Sequence, residues 1–212
     1  MATSEEVLEF WLREIGPQGW YIAVPEVDAQ IAHRFLQTWH QARDGKLADW
    51  CATPEGALAF LIVTDQFSRN MFRGDGNAFA TDEAARAAAR KAIAQGVDLS
   101  IPEPQRVFFY MPFEHSEALA DQDWSVALME ARLTGEEGAD FAHHARVHRE
   151  VIRRFGRFPY RNAALGRVST QAEEAFLVAG GYGAMVREMA QSSYAHSADQ
   201  PARMRELIGF EK

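Results

Sequence analysis

The chain has a single cysteine, Cys51, in 212 residues. No intramolecular disulfide can form, and no thiolate zinc module can be built. A lone cysteine with no sequence-adjacent His or Asn reads as an ordinary thiol rather than a nucleophile. Long hydrophobic runs are also missing. The longest, residues 57–63, falls far short of the ~20 residues that a membrane span needs. Positive charge is in deficit, with a net charge of −8, so nucleic acid is not an expected partner. The start, Met1-Ala-Thr-Ser-Glu-Glu6, carries neither a basic nor an apolar leader region, so a cytoplasmic location is expected and no membrane contact. There is no Walker loop, no dinucleotide Gly-x-Gly-x-x-Gly, no Gly-x-Ser-x-Gly elbow and no EF-hand loop. No cofactor and no metal site is therefore expected.

What is present is helix. Strand-like alternation is lacking, and helix start signals recur. Thr3-Ser-Glu-Glu6, Ser100-Ile-Pro-Glu103 and Thr170-Gln-Ala-Glu173 read as capping boxes. Thr53-Pro54-Glu55 and Thr81-Asp82-Glu83 read as further starts. The spacing predicts helices over about 4–15, 26–43, 54–72, 82–95, 102–111, 113–132, 137–155, 160–165, 171–179, 182–195 and 200–208. Pro112 is expected to separate two of them at a bend. No linker divides the chain, so 1–212 reads as one all-α domain.

Three segments place polar residues on faces that should be apolar, and buried charge is costly unless paired or used. The helix at 54–72 is apolar nearly all round, which predicts a central position. Asp65 and Arg69 share one stripe of it, four residues apart, with Gln66 and Asn70 beside them and Arg73 just beyond. On a continuous helix from 113, Glu114, Glu117 and Asp121 lie within about 60° of one another, with His115 and Gln122 on the neighbouring strip. Such a carboxylate cluster needs neutralising cations. In 137–155, His148 sits in the apolar stripe Phe141, Ala145, Ile152, Phe155, one turn after His144. The metalloprotease motif would need Glu where Ala145 stands. His148 reads as a core histidine or a general base. Five arginines then fall within residues 153–167, among them Arg157, Arg161 and Arg167, with Asn162 between. They suit an anion, or they answer the acidic strip.

The segments Val7-Leu-Glu-Phe-Trp11, Asp65-Gln-Phe-Ser-Arg-Asn-Met-Phe-Arg-Gly74, Ala78-Phe-Ala-Thr-Asp82, Glu114-His-Ser-Glu-Ala-Leu-Ala-Asp-Gln122 and Arg157-Phe-Pro-Tyr-Arg-Asn-Ala-Ala-Leu-Gly-Arg167, with Ser169-Thr170, resemble the bacterial and fungal domain-of-unknown-function family 924. The resemblance runs in order from about residue 7 to about 178. It implies an all-helical fold similar to tetratricopeptide-repeat proteins, antiparallel hairpins in a right-handed superhelix, and no established activity. Tyr160 stands where the family's Arg-Phe-Pro-His pattern has a His, which weakens any mechanism needing a histidine there.

Three functions fit. One is a binding protein for a small anionic metabolite or acidic peptide, clamped by Arg69, Arg73, Arg157 and Arg161, with Asn70 and Asn162 giving specificity. The second is a hydrolase using His115 or His148 as base, with Glu117 or Asp121 as orienter; a metal-dependent version would use all four. The third is a protein-interaction scaffold, with Trp11, Trp20, Trp39, Trp50 and Trp124 as core or interface anchors. Monomer and homodimer are both open. The three polar segments are expected to meet at one concave site.

Overall fold

A computed structural model describes residues 1–135 and 137–191, and among these there is helix and turn but no strand. The predicted all-α single domain is what folds. Helix α1 (Ser4–Leu8) opens on the reciprocal Thr3/Glu6 capping box and runs on through a π-helical turn, Glu9–Ile15. Next come α2 (Pro25–Arg43) and α3 (Pro54–Leu61), whose Thr53 hydroxyl accepts from the Gly56 N–H. The helix of α3 continues as a π-helical stretch, Ile62–Phe67, and ends as α4 (Ser68–Met71). Then follow α5 (Asp82–Ala94), α6 (Met111–Glu114), α7 (Leu119–Arg132), α8 (Gly138–Phe155) and α9 (Gln171–Val178). A last helix, α10, covers 181–191. The rest of the helix expected at 182–195, and that at 200–208, lie outside the described residues.

As its composition predicts, α3 is central. Its residues from Gly56 to Leu61 are all buried, and it packs on α1 and α5. Around Phe67 the rings of Phe35 and Trp11 close at 4.8 and 5.4 Å between centroids, adding to burial in the way offset and edge-on aromatic pairs do. Trp11, Trp20 and Trp39 are buried, and Trp50 and Trp124 pack partly buried against the same core. A smaller core joins Val147, Val151 and Ile152 of α8 to Phe158 and Met185. Gly156 ends α8 in the left-handed region, φ 69°, where a residue with a Cβ would be strained.

Several local expectations give way. The helix expected over 160–165 is only a 3₁₀ turn, Pro159–Arg161, and Ser100–Glu103 caps no helix. Residues 102–111 form no α-helix; Pro104 has no N–H to donate, and a short 3₁₀ turn, Gln105–Phe109, takes its place. Thr81 does not cap α5. Its hydroxyl donates to the Thr64 carbonyl and accepts from the Trp39 indole instead. Most consequentially, the helix expected over 113–132 is broken. Pro112 sits in the first turn of α6, and the bend falls after it. The carbonyls of Phe113, Glu114 and Ser116 accept from the Gln122 amide, and the Ser116 hydroxyl accepts from the Ala118 N–H. A side-chain donor, Gln122, and a side-chain acceptor, Ser116, thus take the place of the helical ladder across residues 115–118.

Candidate functional site

That break separates the three carboxylates that a continuous helix would align. Glu114 turns inward and is 4% exposed. Glu117 turns to Arg167, which grips it at 2.7 and 3.0 Å, and accepts the Phe158 N–H at 2.8 Å. Asp121 pairs with Arg90 at 2.8 Å and with the Ser116 hydroxyl. Neither Glu117 nor Asp121 orients a histidine, which corrects the expected arrangement. The three polar segments do meet, through Asp65 with His115 and Glu117 with Arg167, but chiefly as internal ion pairs.

The arginines are mostly consumed by such pairs. Arg73 and Asn70 both bind Asp28 of α2. Arg157 holds Glu173 at 2.6 and 2.8 Å, and Asn162 ties Arg167 to Ser169. Arg69 bonds Asp82 and the Ala78 carbonyl and reaches Asp65 at 3.6 Å. Arg161 is buried between the rings of Phe79 and Phe158, 3.8 Å from Asp82, with no side-chain hydrogen bond among the described residues. Burial and then Arg69 push its pKa down to about 10, so it stays a cation at neutral pH. None of these arginines lines the main cavity, so the expected clamp is not assembled there.

That cavity, about 480 Å³, is lined instead by Glu114, His115, His144, His148 and Tyr182, with an apolar wall of Trp20, Tyr21, Val107, Met111 and Phe141. Its size suits a small molecule. Two carboxylate–imidazole pairs stand in its wall. His115 Nδ1 lies 2.9 Å from both oxygens of Asp65. His148 Nδ1 lies 2.7 Å from Glu114 Oε1, 3.0 Å from the His144 carbonyl and 3.2 Å from the Tyr182 hydroxyl. The two rings are 6.0 Å apart, nearly edge to face. In both, Nδ1 is taken, and Nε2 has no partner among the described residues. Both histidines remain partly open, at 14% side-chain exposure, whereas their carboxylates are buried.

The electrostatics follow the burial. Desolvation pushes the Asp65 carboxyl up, but His115, Arg69 and Gln66 outweigh it and hold the group at about 2. Glu114 is likewise raised by burial and lowered more by the histidines around it, His148 first. Burial holds His144 below its ordinary value. Gln66 donates to Asp65 at 2.7 Å, and Gln122 anchors the α6–α7 bend that carries both Glu114 and His115.

Of the residues expected at the site, Asp65, Gln66, Glu114, His115, Gln122 and His148 gather at this cavity or directly behind it. Arg69 stands one layer further back. Arg73, Asn70, Arg157, Asn162 and Arg167 serve structural contacts elsewhere. Sequence reasoning missed the Asp65–His115 and Glu114–His148 pairing and the wall residues Trp20, Tyr21, Glu137, Asp140 and Tyr182. Only the His144–His148 spacing, one helical turn, gave a signal for that wall. Among the described residues no group of three or more His, Cys, Asp or Glu is arranged to hold a metal ion.

No functionally curated protein matches the chain. A solved structure of a protein of unknown function from Agrobacterium tumefaciens is similar, at 37% identity and a TM-score of 0.77, covering 82% of this chain and 96% of that one. Residues 7–181 match the family described as bacterial protein of unknown function, DUF924. With a match across most of its length, the chain belongs to that family.

Proposed function

We propose that this protein is a small-molecule hydrolase working by general acid–base chemistry, with His115 and His148 as catalytic residues and Asp65 and Glu114 as their positioning residues. The observation that carries this reading is the pair of buried carboxylate–imidazole contacts whose rings stand 6.0 Å apart in one cavity wall. A carboxylate on Nδ1 fixes the tautomer and ring orientation, leaving Nε2 to exchange protons with a bound molecule. One neutral imidazole takes a proton from water. The resulting hydroxide adds to the substrate carbonyl carbon. The other imidazole, protonated, gives its proton to the leaving group as the acyl bond breaks, and the pair resets by exchange with solvent. The anion-clamp reading gives way because its arginines are engaged elsewhere and none lines the cavity.

The test is a screen of purified protein against p-nitrophenyl esters and aminoacyl p-nitroanilides, repeated with His115→Asn, His148→Asn and the control His143→Asn. Turnover should fall at least about 100-fold in the first two and persist in the control, with all variants folded by circular dichroism although His115→Asn, which strips buried Asp65 of its partner, melts lower. Equal turnover in all four proteins, or none in the wild type, would overturn the proposal.

A further inference from the structure

We infer that the cavity takes an organic cation, an ammonium group carried on an apolar body about the size of one ring; this deepens the reading of the cavity as a substrate site and rests on it. Among the described residues three carboxylates, Glu114, Glu137 and Asp140, line the cavity, and no lysine or arginine does. Glu114 is the deepest. Its Oε1 faces His148, and no described residue donates a hydrogen bond to its Oε2, although the residue is 4% exposed. An oxygen that no described residue engages can accept a ligand N–H, and a charged acceptor makes that bond a strong one. The aromatic wall fits the same ligand. Tyr21 and Trp20 stand edge to face with 6.3 Å between ring centroids, and Phe141 lies 6.1 Å from Tyr21, faces to which a cation is attracted. Burial keeps His144 below its ordinary value, which lessens the opposing charge on that side of the cavity.

Asp140 lies in the first turn of α8, where an acid also favours the helix dipole. The test must therefore read selectivity rather than stability. Isothermal titration of the intact protein at pH 7 with benzylammonium, benzyl alcohol and benzoate supplies it. Benzylammonium should bind about ten times tighter than benzoate, and the double variant Glu137→Gln/Asp140→Asn should cut that ratio to about threefold or less. Benzoate binding as tightly as benzylammonium, a ratio unmoved in the double variant, or no heat from any of the three probes would each overturn the inference. Turnover in the His115→Asn and His148→Asn variants is a separate readout. A cation preference with no hydrolysis would sink the hydrolase and keep the ligand class, and hydrolysis without the preference would do the reverse.

Discussion

Asp65 and His115 are 50 positions apart in the chain, yet both Asp65 oxygens lie 2.9 Å from His115 Nδ1. The contact joins the π-helical end of the central helix to the bend between α6 and α7, so one pair both fixes the core and orients a cavity residue. Its pH dependence has a definite sign. The Asp65 pKa is about 2 in the folded chain against an ordinary 3.8. The stabilisation is therefore complete above about pH 4 and lost as pH falls towards 2, and it amounts to on the order of 2 kcal/mol. Urea unfolding of wild type and Asp65→Asn at pH 6, 4 and 2.5 should show the gap between them narrowing over that window. A gap that stays constant with pH would remove the linkage.

Arg69 and Arg161 both face Asp82 but should answer differently to replacement. Arg69 satisfies buried carboxylates with direct hydrogen bonds and an ion pair, so Arg69→Ala strands them and should cost about 3–5 kcal/mol. Arg161 makes no side-chain hydrogen bond among the described residues and lies between two phenylalanine rings. Arg161→Met should cost less than about 1 kcal/mol, or stabilise. Chemical denaturation of the two variants decides the matter; equal losses would contradict the assignment.

Gln122 is fully buried and holds the bend with one amide nitrogen. Gln122→Glu puts an acceptor against the Phe113, Glu114 and Ser116 carbonyls and should destabilise by roughly 3 kcal/mol or more, beyond the loss in Gln122→Leu. Amide hydrogen exchange should report faster opening over residues 113–118 in both variants. Unchanged protection there would show that the bend is held by something else.

Arg167 binds Glu117 in a partly buried, two-point pair away from the cavity. Arg167→Ala should cost about 1–2 kcal/mol and leave the benzylammonium affinity within about twofold of wild type. A tenfold loss of affinity without unfolding would bring Arg167 back into the binding site.

The sequence by itself determined the helical class, the central place of the 54–72 segment, the caps at Thr3, Thr53 and Thr170, and the fact that polar groups converge. These are local properties: period, capping chemistry and the apolar surround of Asp65 and Arg69 are all readable within a few turns. Tertiary structure decided which carboxylate meets which cation. Glu114, Glu117 and Asp121 look alike on a helical wheel, and the bend held by the Gln122 amide and the Ser116 hydroxyl sends them to His148, Arg167 and Arg90. The pairing of His115 with Asp65 and of His148 with Glu114 spans dozens of residues, and no spacing rule reaches that far. The make-up of the cavity wall was decided the same way, because folding turned the arginines onto internal carboxylates and left histidines and acids on the wall.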